Sequence, residues 1–217
     1  ELMDRLSPAA SLIGAVNTVI NDDGILTGCN TDGMGFMRAA DAAGYDVIGQ
    51  EMTMLGNGGA ATAVCAQAAL DGVKRINVFM RKESAHYERT ETLAKRMNEE
   101  TASEVAVYEQ GDIRSLRSCI SHSAILVNGT SVGMTPDVDH SLIEDPSLFR
   151  PGLIVSDLIY EPKETKLLRD ARVMGCRTLN GMNMLLYQGA ESFKLWTAQE
   201  MPIDLIREKY FEVRDES

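Results

Sequence analysis

Met54-Leu55-Gly56-Asn57-Gly58-Gly59-Ala60-Ala61-Thr62 is the stretch on which the reading of this chain turns. An apolar strand runs into a glycine-rich turn, and a helix of small residues leaves it. Gly56 permits a sharp exit from the strand, and Gly58 lets the backbone approach a bound pyrophosphate. Ala61 leaves room for the helix to pack closely on the strand. The helix start offers free N–H groups and a positive dipole end to an anion. Glycine-rich turns also serve as plain connections, so the surroundings decide. A second strand ends near Met80, about where a ribose-reading residue is expected.

Outward from this turn, strands and helices alternate. The patterning predicts strands at 51–56, 75–80, 104–108, 124–127, 153–157 and 176–179. Helices are expected near 59–71, 85–99, 112–120 and 163–174, then at 183–198 and 202–211, with Pro162 setting the start of the 163–174 helix. Six strands separated by helices imply an α/β fold, a doubly wound parallel sheet covered on both faces. Ahead of it, residues 14–20 read as a strand that turns at Asn21-Asp22-Asp23-Gly24 and returns at 25–28. A helix follows at 33–43. Glu1 to Leu6 reads as the last turns of a helix.

The 217 residues suffice for a sizeable core, and 44% hydrophobic with 24% charged residues is ordinary for a globular protein. A formal charge of −11 argues against nucleic acid, whose phosphates need a basic surface. No apolar run reaches membrane-spanning length. Cys29, Cys65, Cys119 and Cys176 form no CxxC pair, and His86, His122 and His140 lie at no zinc-ligand spacing from them. Scattered thiols without a metal site fit a reducing cytoplasm.

Polar residues gather at the ends of these elements. Asn17-Thr18 closes a strand, and Asn30-Thr31-Asp32-Gly33 opens a helix. Asp32 reads either as an N-terminal cap or as a charge partner in a cleft, and Asn17 as a turn residue or a hydroxyl-binding amide. Asn128-Gly129-Thr130-Ser131-Val132-Gly133-Met134 follows the fourth core strand, at the strand ends where open α/β sheets bind ligands. Met80-Arg81-Lys82-Glu83 ends the second. Its basic pair suits a 2′-phosphate and its acid a 2′-hydroxyl. In Asn180 to Ala190, Met184 and Leu185 suit a core, while Gln188 lies one turn beyond Met184 on the same helix face.

Taken in order, Gly14-Ala-Val-Asn17-Thr18, Asn30-Thr-Asp32-Gly33, Gly56-Asn-Gly-Gly-Ala60, Asn128 to Met134 and Gly181 to Ala190 resemble the shikimate dehydrogenases, and most of all the quinate/shikimate branch. The resemblance covers nearly the whole chain. It implies a Rossmann-type NAD(P)-binding domain over 34–189, with remnants of a substrate domain at 1–33 and C-terminal helices over 190–217 returning to it. It implies oxidation or reduction between shikimate or quinate and the 3-dehydro ketone, in the cytoplasm, in aromatic amino-acid biosynthesis or quinate use.

By the same resemblance Asp32 is the carboxylate of the catalytic pair, and Asn17, Tyr160 and Gln188 join it as substrate ligands. Gly56, Asn57, Gly58, Gly59 and Ala60 form the pyrophosphate turn. Met80, Arg81, Lys82 and Glu83 lie at the adenosine end. Ser131, Leu158, Tyr160 and Gly181 line the rest of the cofactor path. No metal is expected. The family's base is a lysine that precedes the segment matching Glu1, so the resemblance implies a truncated chain that keeps the cofactor fold with little or no turnover.

Met80 and Asn57 stand where the family has asparagine and alanine, and Asn183 and Glu161 where it has glycine and asparagine. An aspartate at the Glu83 position helps hold the NAD ribose in the dual-specific branch, so NAD is expected, with NADP tolerated. A ligand-sensing regulator would keep Asn17, Asp32 and Gln188 too. A methylenetetrahydrofolate dehydrogenase fits the fold but not the 14–33 motifs. An exposed face left by a lost domain favours a homodimer.

Overall fold

The computed structural model describes residues 2–211, so Glu1 and the 212–217 end of the C-terminal segment lie outside the described residues. Six parallel strands form the main sheet: β4 (Glu51–Leu55), β5 (Arg75–Met80), β6 (Glu104–Glu109), β7 (Ile125–Asn128), β8 (Ile154–Asp157) and β9 (Arg177–Leu179). Their order is β6-β5-β4-β7-β8-β9, the doubly wound arrangement that the alternation implied. It reverses between β4 and β7. The loops leaving those two strands therefore diverge and open a crevice at their carboxyl ends.

Every strand facing helices on both sides must be apolar on both sides, which is why these segments read as continuous hydrophobic runs. Met52, Met54, Ile76, Val78, Ile125 and Val127 pack on one face with α3 (Gly59–Asp71) and α4 (Tyr87–Glu100). Leu55, Phe79, Leu126 and Val155 pack on the other with α5 (Ile113–His122) and α6 (Lys166–Val173). The period-2 alternation of the pleat sorts neighbouring residues between the two layers.

A second sheet of three strands precedes the first: β1 (Arg5–Leu6), β2 (Thr18–Asp22) and β3 (Ile25–Cys29). Asp23 and Gly24 join β2 to β3 with φ of +49° and +92°, the twist that a two-residue hairpin needs. Helix α2 (Asp32–Ala42) leads from this sheet into the large one. Helix α7 (Gly181–Thr197) runs back, and the Trp196 indole N–H donates to Val19 O at 3.0 Å. The short α8 (Ile203–Ile206) follows, and a single π-helical turn covers Arg207–Phe211.

Three local readings are corrected. Residues 5–6 form a strand pairing with β3, where a helix end was expected. The helix lies later, at α1 (Pro8–Ile13): Ser7 caps it, Pro8 opens it and Gly14 ends it at φ +69°. Residues 14–17 lie outside the strand, which starts at Thr18 because Gly14 must first reverse the chain out of α1. Helix α6 begins at Lys166, capped by the Thr165 hydroxyl accepting from Leu168 N at 3.4 Å, so Pro162 stands too far upstream to set its start. Two arginines of α4 hold the end of α1. Arg89 donates to Ile13 O at 3.1 Å and Arg96 to Leu12 O at 2.9 Å.

Candidate active site

The glycine-rich turn makes the sharp exit and the close packing that its residue types imply. Gly56 sits at φ +99°, and a Cβ there would stand 2.5 Å from Thr130 Cγ2. Gly129 packs as tightly from the opposite loop, where an added Cβ would lie 2.6 Å from that of Ala61. The two loops thus touch through residues lacking side chains. Gly58 precedes the first turn of α3 with no side-chain cap, and nothing lies within 4 Å of a Cβ built on Gly59. The N–H groups of that turn remain open to an anionic group.

Two cavities flank the turn and share Gly129, Thr130 and Ser131. One, of about 460 Å³, is lined by Gly56, Asn57, Gly58, Met80, Arg81 and Gln110. The other, of about 410 Å³, is lined by Ala60, Met134, Leu158, Tyr160 and Glu161. Together they form a path from the end of β5, past the helix start, to the loop after β8, which suits an elongated two-part ligand. Met80 is buried. Lys82 pairs with Glu109 at 2.7 Å, and neither Lys82 nor Glu83 lines these cavities. The Asn57 amide donates to Ser84 Oγ at 3.4 Å and to Thr90 Oγ1 at 3.1 Å, tying the turn to the segment after β5.

Beneath the second cavity lies a polar cluster missed by the sequence reading. Asp157, fully buried at the end of β8, accepts from Asn128 Nδ2 at 3.1 Å, Ile159 N at 3.0 Å and Thr165 Oγ1 at 2.7 Å. Asn128 Oδ1 in turn accepts from Thr130 Oγ1 at 2.7 Å. The carboxylate therefore joins the roots of both loops that shape the cavity. Burial pushes its pKa up, against the pull of those hydrogen bonds.

A carboxyl raised in the folded state adds stability that is complete below the ordinary aspartate range and is lost as pH rises through the raised value. Asp157→Asn is expected to flatten that slope. Urea melts of both proteins between pH 4 and pH 7 check it, and parallel curves would refute it.

Asp32 occupies the first position of α2, half-buried, with its N–H on Asn30 Oδ1 at 3.2 Å. Its carboxylate accepts from Asn17 Nδ2 at 2.9 Å. Asn17 reaches it from the residue before β2, and its Oδ1 accepts from Thr31 N at 3.0 Å. Gln188 on α7 joins the group through Thr31 Oγ1, 3.4 Å from its Oε1. Sequence positions 17, 32 and 188 are thus brought together. Burial raises the Asp32 pKa and the Asn17 hydrogen bond lowers it, with burial the larger influence. Among the described residues, Asp32 forms no ion pair with a lysine or histidine.

Gly181 opens α7 against the loop after β8. A Cβ there would stand 2.2 Å from Leu158 O and 2.5 Å from Leu158 C, so the helix seats directly on backbone. Among the described residues no cluster of three His, Cys, Asp or Glu side chains is placed to hold a metal, and no helix is long and apolar enough to cross a membrane.

Residues 181–209 match the family model described as the shikimate 5′-dehydrogenase C-terminal domain. The chain is 50% identical over 209 residues to a shikimate dehydrogenase (NADP(+)) of Listeria innocua, spanning 96% of this chain and 72% of that protein. The crystal structure of shikimate 5-dehydrogenase from Listeria monocytogenes in complex with shikimate and NAD superposes with a TM-score of 0.93 at 50% identity, over 95% of this chain and 71% of that one. A quinate dehydrogenase from Corynebacterium glutamicum in complex with NAD gives a TM-score of 0.82 at 31% identity, over 97% and 72%.

Proposed function

We propose, from matches showing that the chain belongs to the shikimate dehydrogenase family, that it interconverts shikimate or quinate and the matching 3-dehydro ketone with NAD(P). The observation that carries this reading is the convergence of Asn17, Asp32 and Gln188 around Thr31. Three polar groups from separate parts of the chain suit a ring bearing several hydroxyls.

The residues fit a dinucleotide. Gly58 to Ala60 would hold its pyrophosphate through their open N–H groups, the cavity beside Arg81 its adenosine half, and the cavity beside Ser131, Leu158 and Tyr160 its nicotinamide half. A nicotinamide held there supplies the hydride acceptor or donor. Asp32, its pKa raised by burial, takes part in holding and moving the hydroxyl proton, while the Asn17 and Gln188 amides orient the ring. Residues 34–189 act as the cofactor-binding unit, and the segments on either side of it as one substrate-facing unit.

The proposal extends to cofactor choice. Glu83 follows the end of β5 with its side chain exposed, and an acid near this strand end would accept from a ribose 2′-hydroxyl and repel a 2′-phosphate. NAD is therefore preferred and NADP accepted through Arg81. Glu83→Ala is expected to raise KM for NAD by about tenfold and to leave that for NADP unchanged or lower. Equal changes for both cofactors would remove the argument. The reading as a whole is tested by titrating NAD, NADP, shikimate and quinate into the chain, since weak turnover is what the resemblance implies, and absence of binding by both cofactors and both substrates would overturn it.

A further inference from the structure

We infer that Ser192 is a positioning residue that fixes which way the Asn17 side-chain amide faces. Ser192 lies on α7, buried, one turn after Gln188. Its Oγ is 2.7 Å from Thr18 Oγ1, 3.1 Å from Thr31 Oγ1 and 3.1 Å from Gln188 O. Three hydroxyls meeting in one dry place carry only three protons, so their directions can be assigned by accounting.

The Gln188 carbonyl can only accept, so it takes the Ser192 proton. Ser192 Oγ then has two lone pairs for the two threonine protons. Thr18 makes its shortest contact there, 2.7 Å against 3.0 Å to Asn17 Oδ1. Thr31 does the same, 3.1 Å against 3.2 Å to Asn17 Oδ1 and 3.4 Å to Gln188 Oε1. With its proton turned to Ser192, Thr31 Oγ1 presents a lone pair to Asn17 Nδ2 at 3.1 Å.

The Asn17 amide is thereby held by both ends. Its oxygen takes the Thr31 backbone N–H, one Nδ2 proton goes to Thr31 Oγ1, and the other is left for Asp32 at 2.9 Å. Remove the Ser192 oxygen and both threonine protons lose their nearest acceptor. The best one remaining is Asn17 Oδ1, which already takes the Thr31 N–H and has one lone pair left for two protons, and Thr31 no longer offers its lone pair to Nδ2. The amide is then free to turn, and Asp32 loses a fixed donor. Ser192 acts through Thr31 and Asn17 without touching a ligand itself.

The role of Asn17 in substrate binding rests on the function proposed above, but the amide geometry does not, and the test separates them. In 15N-labelled full-length chain, the Asn17 side-chain protons are expected to give two resolved signals with slow solvent exchange. Ser192→Ala should speed that exchange by about tenfold or more, with Thr18→Val giving a smaller change and Ser192→Thr, which keeps the hydroxyl, restoring the wild-type signals. Where the protein turns over shikimate or quinate, Ser192→Ala should also raise the substrate KM by about 5–10-fold, with kcat and the cofactor KM within about twofold.

Unchanged Asn17 exchange in Ser192→Ala overturns the inference, whatever the protein's substrate. So does a rise in substrate and cofactor KM together with a fall in Tm, the mark of general loosening. Should Ser192→Ala fail to fold, Thr18→Val decides by the same amide signals, its wild-type exchange overturning the inference. A wild-type chain that binds neither cofactor and neither substrate would sink the function while the amide measurement still judges Ser192.

Discussion

Asp32→Asn is expected to lower kcat/KM for shikimate or quinate by about 10²–10⁴-fold, the usual contribution of a group that exchanges a proton with the reacting hydroxyl. Asparagine keeps the size of the side chain and an oxygen for Asn17 Nδ2, which now lies 2.9 Å from the carboxylate. What it removes is the ability to accept a proton. Because Asp32 stands at the first position of α2, loss of its charge also costs some helix-dipole stabilisation, about 0.3–1 kcal/mol. That is far smaller than the expected kinetic loss of about 3–5 kcal/mol, so Tm should fall by only a few degrees. Kinetics in the intact protein with a melting curve on the same sample decide it. A kcat/KM within threefold of wild type would show that Asp32 serves only the charge at the helix start and the contact with Asn17.

Gly181→Ala is the variant expected to damage the fold most. The added methyl would meet Leu158 O at 2.2 Å, Leu158 C at 2.5 Å and Ile159 C at 2.8 Å. All three are backbone atoms, so no rotamer change relieves the clash. The same segment is fastened by the Gly181 N–H, which donates to Ile159 O at 3.0 Å. Helix α7 or the loop after β8 must shift, at a cost of about 3 kcal/mol or more.

Gly189→Ala in the same helix is the control. Nothing lies within 4 Å of its built Cβ, and alanine there should stabilise by about 0.5–1 kcal/mol. Urea melts of the two variants should move in opposite directions. A Gly181→Ala protein as stable as wild type would mean that the helix does not seat on the loop as described.

How legible each part was in the sequence follows from how local its cause is. The six strands of the large sheet were readable because burial on both faces makes each one apolar throughout, as in Ile125-Leu126-Val127. The turn at Gly56 was readable because tight backbone approach restricts the residue type at the very position where it occurs. Helix α1 carried its signals openly in Ser7, Pro8 and Gly14, yet six residues are too few for a periodicity to show, and the preceding leucines suggested a helix end.

The start of α6 was misplaced because Pro162 is the louder signal, while the Thr165 hydroxyl does the capping. Asp157 and Ser192 were out of reach for another reason. An aspartate ending a strand and a serine inside a helix look ordinary, and only the tertiary fold shows that one ties two loops together and the other gathers hydroxyls from β2 and α2.

That last contact has a consequence for the order in which the molecule is assembled. Thr18 and Ser192 are 174 residues apart, and Thr31 and Ser192 are 161 apart, with the whole six-stranded unit between them. Closing so long a loop in an unfolded chain costs more than any pairing within β4 to β9, where even the most distant partners, Met52 and Ile125 of β4 and β7, are far closer in sequence. The contiguous unit can therefore condense while the residues around Asn17 still wait for a partner from the far end. During synthesis that partner emerges late, after every strand has left the ribosome. The hydrogen-bond pattern around Asn17 is therefore expected to close after the six-stranded unit has formed.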